Sequence, residues 1–152
     1  DGELQTLVGT RNLSRDIRTP QAAMNASTVS KVSEVRSGLV ARQRIMGRDG
    51  GVVMEGRDIG TVVFPDAGLK VFLSASAEVR GRRRWLQMKE RGQSTDLAEV
   101  IAEVERRDHQ DMNRAIAPLR PAKDAVILDT SGMSLAEVLA ELEALVSARG
   151  AK

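Results

Sequence analysis

A chain of 152 residues, 41% of them hydrophobic, carries enough apolar mass for a packed domain, and no apolar run in it nears the ~18 residues of a membrane span. It has no cysteine, which excludes disulfides and thiolate metal sites, and its 23 basic and 21 acidic residues leave a net charge of only +2. Aromatics make up 2% (Phe64, Phe72 and Trp85), too few to line a single-strand groove with stacking platforms, so nucleic acid is not an expected partner.

Asp1-Gly2 is a hairpin-turn signal with no strand before it, and Glu3 to Val8 is the strand expected after it. Thr19-Pro20 opens a helix, with Thr19 as N-cap and Pro20 at the first position, where its missing N–H costs nothing. A second helix is expected from Glu34 to Met46, with Val35, Leu39 and Ile45 facing inward and Gly47 as its stop. Gly51-Val-Val-Met54 and Leu69-Lys-Val-Phe-Leu73 are short apolar runs of the kind that form strands buried on both faces. Between them lies a polar loop carrying Glu55, Arg57 and Asp58, flanked by Gly56 and Gly60.

A helix rich in arginine runs from Glu78 to about Arg91 and ends at Gly92. Asp96 and Glu99 begin the next one, whose apolar stripe is Leu97, Val100, Ile101 and Val104 and whose far half holds Arg106, Arg107, Asp108, Asp111 and Arg114. Ala117-Pro-Leu-Arg-Pro121 breaks the chain, and Ala125 to Asp129 is a further buried strand. Ser134 and Glu137 form a capping box for a last helix, and its stripe of Leu135, Val138, Leu139, Leu142, Leu145 and Val146 is expected to pack on the sheet. The order of elements predicts an α/β protein with a mainly parallel sheet, though three strands make a thin one.

Ligands of open parallel sheets bind past the carboxyl ends of strands, which makes Glu55-Gly-Arg-Asp58 a candidate site. Ser27 and Arg36 lie nine residues apart near the facing ends of two helices. Arg80 and Arg84 share a helix face with Arg83 nearby, and Arg107, Asp111 and Arg114 are spaced at i, i+4 and i+7. A solvated arginine face and a helical salt-bridge ladder are the bland accounts of those two sets. His109, the only histidine, is expected to be an exposed helical residue. Five segments that pair arginines with acids or hydroxyls, and carry no activated nucleophile, suit the binding and neutralising of phosphates.

These residues carry a family resemblance. Gly56-Arg-Asp-Ile-Gly-Thr-Val-Val-Phe-Pro-Asp-Ala67 and Arg107-Asp-His-Gln-Asp-Met-Asn-Arg-Ala-Ile-Ala-Pro118 resemble bacterial cytidylate kinase. So do Asp16-Ile-Arg-Thr19, the spacing of Ser27 and Val35-Arg36, the helix with Arg80-Gly-Arg-Arg-Arg84, and Asp124-Ala-Val-Ile-Leu-Asp129. The resemblance covers essentially the whole chain. It departs at Glu55, where the family often has aspartate, and at Ser33, where it usually has proline.

The resemblance implies a P-loop nucleoside monophosphate kinase fold, a parallel sheet with flanking helices, incomplete at the N-terminus. It implies transfer of a phosphoryl group from ATP, with Mg²⁺, to CMP or dCMP, giving CDP or dCDP. Residues 1–32 would be part of the CMP-binding insert and 33–152 the core, with an arginine-bearing lid around 77–95. Ser27, Arg36 and Asp58 would line the pyrimidine pocket: a carboxylate accepts from the cytosine N4 amine, and a guanidinium donates to the ring acceptors. Arg57 would hold the acceptor phosphate, Arg107 and Asp111 would contact the sugar, and Arg114 would sit at the same site. Arg80, Arg83 and Arg84 would close over the donor phosphates and exclude water.

A monomer is expected, in the cytoplasm, with nucleotides as its only partners and no metal-binding set of its own. No Gly-x-x-x-x-Gly-Lys-Ser/Thr motif occurs in the 152 residues. The orphan hairpin turn and the thin sheet agree with a missing N-terminal segment, and the isolated chain is expected to be inactive. Two other readings compete with that one: a naturally P-loop-less module that holds pyrimidine nucleotides, and a nucleic-acid binder acting through the Arg80–Arg91 helix.

Overall fold

The computed structural model describes residues 5–150. It divides into two compact units, residues up to Met46 and residues from Gly47 onward.

The first unit begins with a minimal antiparallel hairpin, β1 (Leu7–Val8) against β2 (Arg11–Asn12). Gly9 turns it with φ of +59°, a region that glycine enters without steric cost. The expected Asp1-Gly2 turn lies outside the described residues. Among the described positions of the expected Glu3–Val8 run, Leu7 and Val8 form a strand, and their partner follows them.

A 3-10 turn at Asp16–Arg18 leads into α1 (Pro20–Val29). The expected cap is formed there: the Thr19 hydroxyl accepts from the Ala22 N–H at 3.2 Å. α2 (Ser33–Met46) follows and belongs to this unit. Val35, Leu39 and Ile45, its expected inward residues, are all exposed.

In the second unit the only strands among the described residues are β3 (Val71–Ser74) and β4 (Val126–Asp129). They pair in parallel, Val71 with Val126 through Ser74 with Asp129. The run Gly51–Met54, expected as a third strand, is not one: Val53 is fully exposed and Val52 is exposed. An apolar run becomes a strand only where a sheet edge accepts its N–H and C=O groups, and both strands here pair only with each other.

The crossover between the strands is a helix pair, α3 (Ala77–Glu90) and α4 (Leu97–Asn113). Local chemistry fixes their ends. Ser76 caps α3 through the Val79 N–H, Gly92 ends it with φ of +73°, and the Asp96 carboxylate accepts from Ala98 and Glu99 at the start of α4.

The core of this unit lies where the helices meet. Val100 and Val104 are buried, as is Val63 in the loop before β3. Gly81 is buried on α3 and lets the helices approach closely, because a Cβ built there would lie 2.5 Å from Ile101 Cγ1 and 3.0 Å from Ile101 Cα.

α5 (Leu135–Ala148) carries the expected capping box, with Ser134 and Glu137 exchanging side-chain and backbone bonds. Those bonds hold the Glu137 carboxyl below its ordinary range. Its apolar stripe does not become core. Leu135, Leu139 and Val146 are exposed, and no residue of the helix is buried. A two-stranded sheet is too narrow to cover a helix of this length. No helix among the described residues is long and apolar enough to cross a membrane.

Candidate functional site

The loop from Gly56 to Pro65 is built around one π-helical turn, Ile59–Val63, a local form often found at functional sites. Asp58 stands at its N-terminus with φ −143° and ψ 21°, and its carbonyl accepts the N–H groups of Val62 at 2.9 Å and Val63 at 3.3 Å. Phe64 N–H donates to Ile59 and closes the turn. The turn also explains one of the two glycines that frame the charges. A Cβ at Gly56 would press against the Ile59 side chain, 2.8 Å from its Cγ1.

Arg57, at the head of this loop, reaches the C-terminal part of α4. Its Nε lies 3.2 Å from Asp111 Oδ2. Arg107 Nε approaches the same oxygen at 3.9 Å, and Arg114 Nη1 approaches Oδ1 at 3.9 Å. The helical ladder anticipated for the last three residues is therefore present, but its shortest contact comes from a residue 54 positions away in sequence.

Asp111 is largely buried, and its Oδ2 makes no hydrogen bond of acceptable geometry. Arg114 is likewise mostly buried; its Nε donates to the Ala117 carbonyl, while its Nη2 is buried without a hydrogen-bond partner. The chain reverses just beyond α4 through Ala117, at φ +49°, so that Leu119 N–H can donate to the Asp111 carbonyl at 2.8 Å. Three guanidiniums around one carboxylate leave a formal excess of two positive charges. Such a cluster, with an unsatisfied buried donor, suits a phosphate monoester, whose charge near pH 7 is about −1.5 to −2.

Three of the arginines of α3, Arg80, Arg83 and Arg84, are held by protein groups. Arg80 donates from Nε to the Ala75 carbonyl at the carboxyl end of β3 and pairs bidentately with Asp108 of α4. Arg84 bonds Glu103 of α4 at 3.1 Å. Arg83 faces another way, donating to Thr130 O at 2.7 Å, Thr130 Oγ1 at 3.2 Å and Met133 O at 3.0 Å. Thr130 is buried and donates in turn to the Ser74 carbonyl, so Arg83 ties α3 to the loop past β4.

The two loops at the carboxyl ends of the strands are also joined directly. Ser76 N–H donates to Ser131 Oγ, and the Ser131 hydroxyl donates to Asp129, which holds that carboxyl below its ordinary range. In the second half of α3, the Trp85 indole donates to the Thr95 carbonyl, and the Lys89 ammonium sits 4.4 Å from the ring centre.

Ser27 lies in α1, its side chain outside the described residues, and Arg36 lies in α2, partly exposed; both belong to the first unit. Of the anticipated residues, the structure brings together Arg57, Arg107, Asp111 and Arg114. Asp58 sits beside that group in the chain. His109 is exposed. The described residues contain no group of three or more His, Asp or Glu side chains able to hold a metal ion.

Sequence reasoning passed over Asp108, Glu103, Thr130 and Lys70. The first two were legible only as helix charges. A lysine inside an apolar run bounding a strand was a signal that could have been followed, since such a charge is buried only with a partner.

A parallel pair of strands joined through a helical crossover defines an α/β protein, and arginines of the loop before β3 and of α4 converge on Asp111. A sequence profile of the cytidylate kinase family matches residues 2–148. A cytidylate kinase of Geobacter sp. (strain M21) is 51% identical over 150 residues, which cover 98% of this chain and 64% of that protein. Cytidylate kinases of Geobacter sulfurreducens and Pasteurella multocida are 55% and 46% identical, covering 88% and 93% of this chain and 57% and 62% of their own lengths. The chain belongs to the cytidylate kinase family, and it spans about 57–64% of the length of these curated relatives.

Proposed function

We propose that this chain supplies the acceptor side of a cytidylate kinase, in which a phosphate oxygen of CMP or dCMP attacks the γ-phosphorus of ATP and ADP leaves. The observation that carries the reading is the cluster of Arg57, Arg107 and Arg114 around Asp111, with its excess of positive charge and its unsatisfied Arg114 Nη2. Arg57 and Arg114 would take the CMP phosphate, and Arg107 and Asp111 the ribose. Asp58 would accept from the cytosine N4 amine, and the family resemblance gives Arg36 and Ser27 base-binding roles as well. Uracil presents an oxygen where cytosine has that amine, and would be repelled by the Asp58 carboxylate.

Arg80, Arg83 and Arg84 would reach the donor phosphates by exchanging their present partners. For Arg80 that means trading the Asp108 carboxylate for a phosphate oxygen. Phosphoryl transfer of this kind asks the protein for position and charge rather than for covalent chemistry. Mg²⁺ would arrive on the ATP phosphates and neutralise their charge. With no P-loop motif among the 152 residues, the isolated chain is expected to leave ATP untouched.

The base-reading role is tested by Asp58→Ala in a protein that joins this chain to a P-loop segment. The KM for CMP should rise by about 10- to 100-fold, the worth of a charge-assisted hydrogen bond, with the KM for ATP within about twofold of its starting value. Equal losses for both nucleotides would show that Asp58 does not read the acceptor base.

A further inference from the structure

Lys70 is a charge in an apolar setting. It sits between Leu69 and Val71 at the entrance to β3, and its side chain is only 7% exposed. Two acceptors account for the buried ammonium. It donates to the Pro65 carbonyl just beyond the π turn, and it pairs with Asp124, just before β4, at 2.6 Å. Asp124 is itself exposed; the bond from Lys70, then its own backbone N–H, hold its carboxyl below the ordinary range.

The hydrocarbon stem does something else. It runs across Gly60 inside the π turn, where a built Cβ would lie 3.3 Å from Lys70 Cδ. The Lys70 backbone is fixed as well, because its carbonyl accepts Val126 N–H of β4 at 2.9 Å. The loop that bears Arg57 and Asp58 is thus held to the sheet at Gly60 by packing and at Pro65 by a charge-assisted bond.

We propose that Lys70 is a positioning residue for the acceptor nucleotide: by bracing the π turn against the two strand entrances it sets the place of Arg57 and Asp58. This role rests on the acceptor reading above. It differs from that of a general core residue, because methionine would fill the same volume along Gly60 and leave Pro65 and Asp124 without their donor.

The test uses the protein that joins this chain to a P-loop segment, with Lys70→Met, Lys70→Arg and Asp124→Asn. Lys70→Met should raise the KM for CMP by about tenfold and change the KM for ATP by less than about twofold, and Lys70→Arg should recover most of the loss. Without any nucleotide, Lys70→Met should also speed amide exchange at Val62, Val63 and Phe64 by about tenfold while sparing Val100 and Val104. Should Lys70→Met not fold, Asp124→Asn leaves the buried Lys70 stem in place and should raise the CMP KM by about two- to threefold.

Unchanged exchange in the turn, or an unchanged CMP KM in a folded variant, overturns the positioning role. An equal rise in both KM values, or no recovery with arginine, does so too. If the unsubstituted protein does not phosphorylate CMP at all, the acceptor reading itself fails, which is a different result from normal turnover that ignores Lys70.

Discussion

Arg57→Met, in the chain joined to a P-loop segment, should weaken CMP binding by about 10- to 150-fold and leave cytidine binding within about twofold. The range follows from the ~1.5–3 kcal/mol that a hydrogen bond to a charged group contributes. Arg57 is the only member of the arginine cluster contributed by the loop, and it lies closest to Asp111, at 3.2 Å. Methionine keeps much of its stem and removes one positive charge. Two arginines would remain around Asp111. Because Arg57 is 39% exposed, its loss should cost little stability. Cytidine has no phosphate and serves as the control in calorimetry. If cytidine and CMP lose affinity equally, Arg57 shapes the loop rather than binding phosphate.

Gly81→Val should destabilise the second unit by about 2–3 kcal/mol, seen as a fall of about 5–10 °C in Tm. The Cβ alone would come within 2.5 Å of Ile101 Cγ1, a side-chain atom that can move. It would also come within 3.0 Å of Ile101 Cα, which cannot move without shifting α4. Valine adds two methyl groups to that clash and a small loss of helix propensity. The pairs Arg80–Asp108 and Arg84–Glu103 cross the same helix interface, so a forced separation would strain them too. Ile101→Ala in the same chain should recover part of the loss. A Gly81→Val protein as stable as its parent would mean that α3 and α4 do not approach as described.

The two substitutions sort what the sequence can and cannot say. Thr19-Pro20, Ser134 with Glu137, and Gly92 were legible because each is a local bargain between a side chain or a glycine and the nearest helix end. Gly51–Met54 misled because strand formation depends on a pairing partner that no local pattern specifies. The apolar stripe of α5 misled for a related reason: helical spacing gives a face, and the surface that covers it comes from elsewhere in the structure.

The site was half legible. Spacing put Arg107, Asp111 and Arg114 on one helix face, and it could not show that Arg57 would join them across 54 residues. Asp108 was one of the charges in the far half of α4, and the structure makes it and Glu103 the partners of Arg80 and Arg84. Gly81 was the clue to that interface. A glycine inside a helix of bulky arginines costs propensity, and close helix approach is what offsets it. Lys70 was counted within an apolar run, and its burial depends on Pro65 and Asp124, neither of which a strand pattern brings near it.

The acceptor proposal is that these residues receive CMP, that Arg80, Arg83 and Arg84 reach the donor phosphates, and that ATP is turned over only with a P-loop segment joined to the chain. It is tested most directly by following CDP formation from CMP, ATP and Mg²⁺, with UMP as the competing acceptor, for the 152-residue chain alone and for the same chain joined to a P-loop segment. No CDP is expected from the chain alone, and the joined protein should turn over with CMP well preferred over UMP. CDP formation by the chain alone, or a joined protein that uses UMP as readily as CMP, would contradict that proposal.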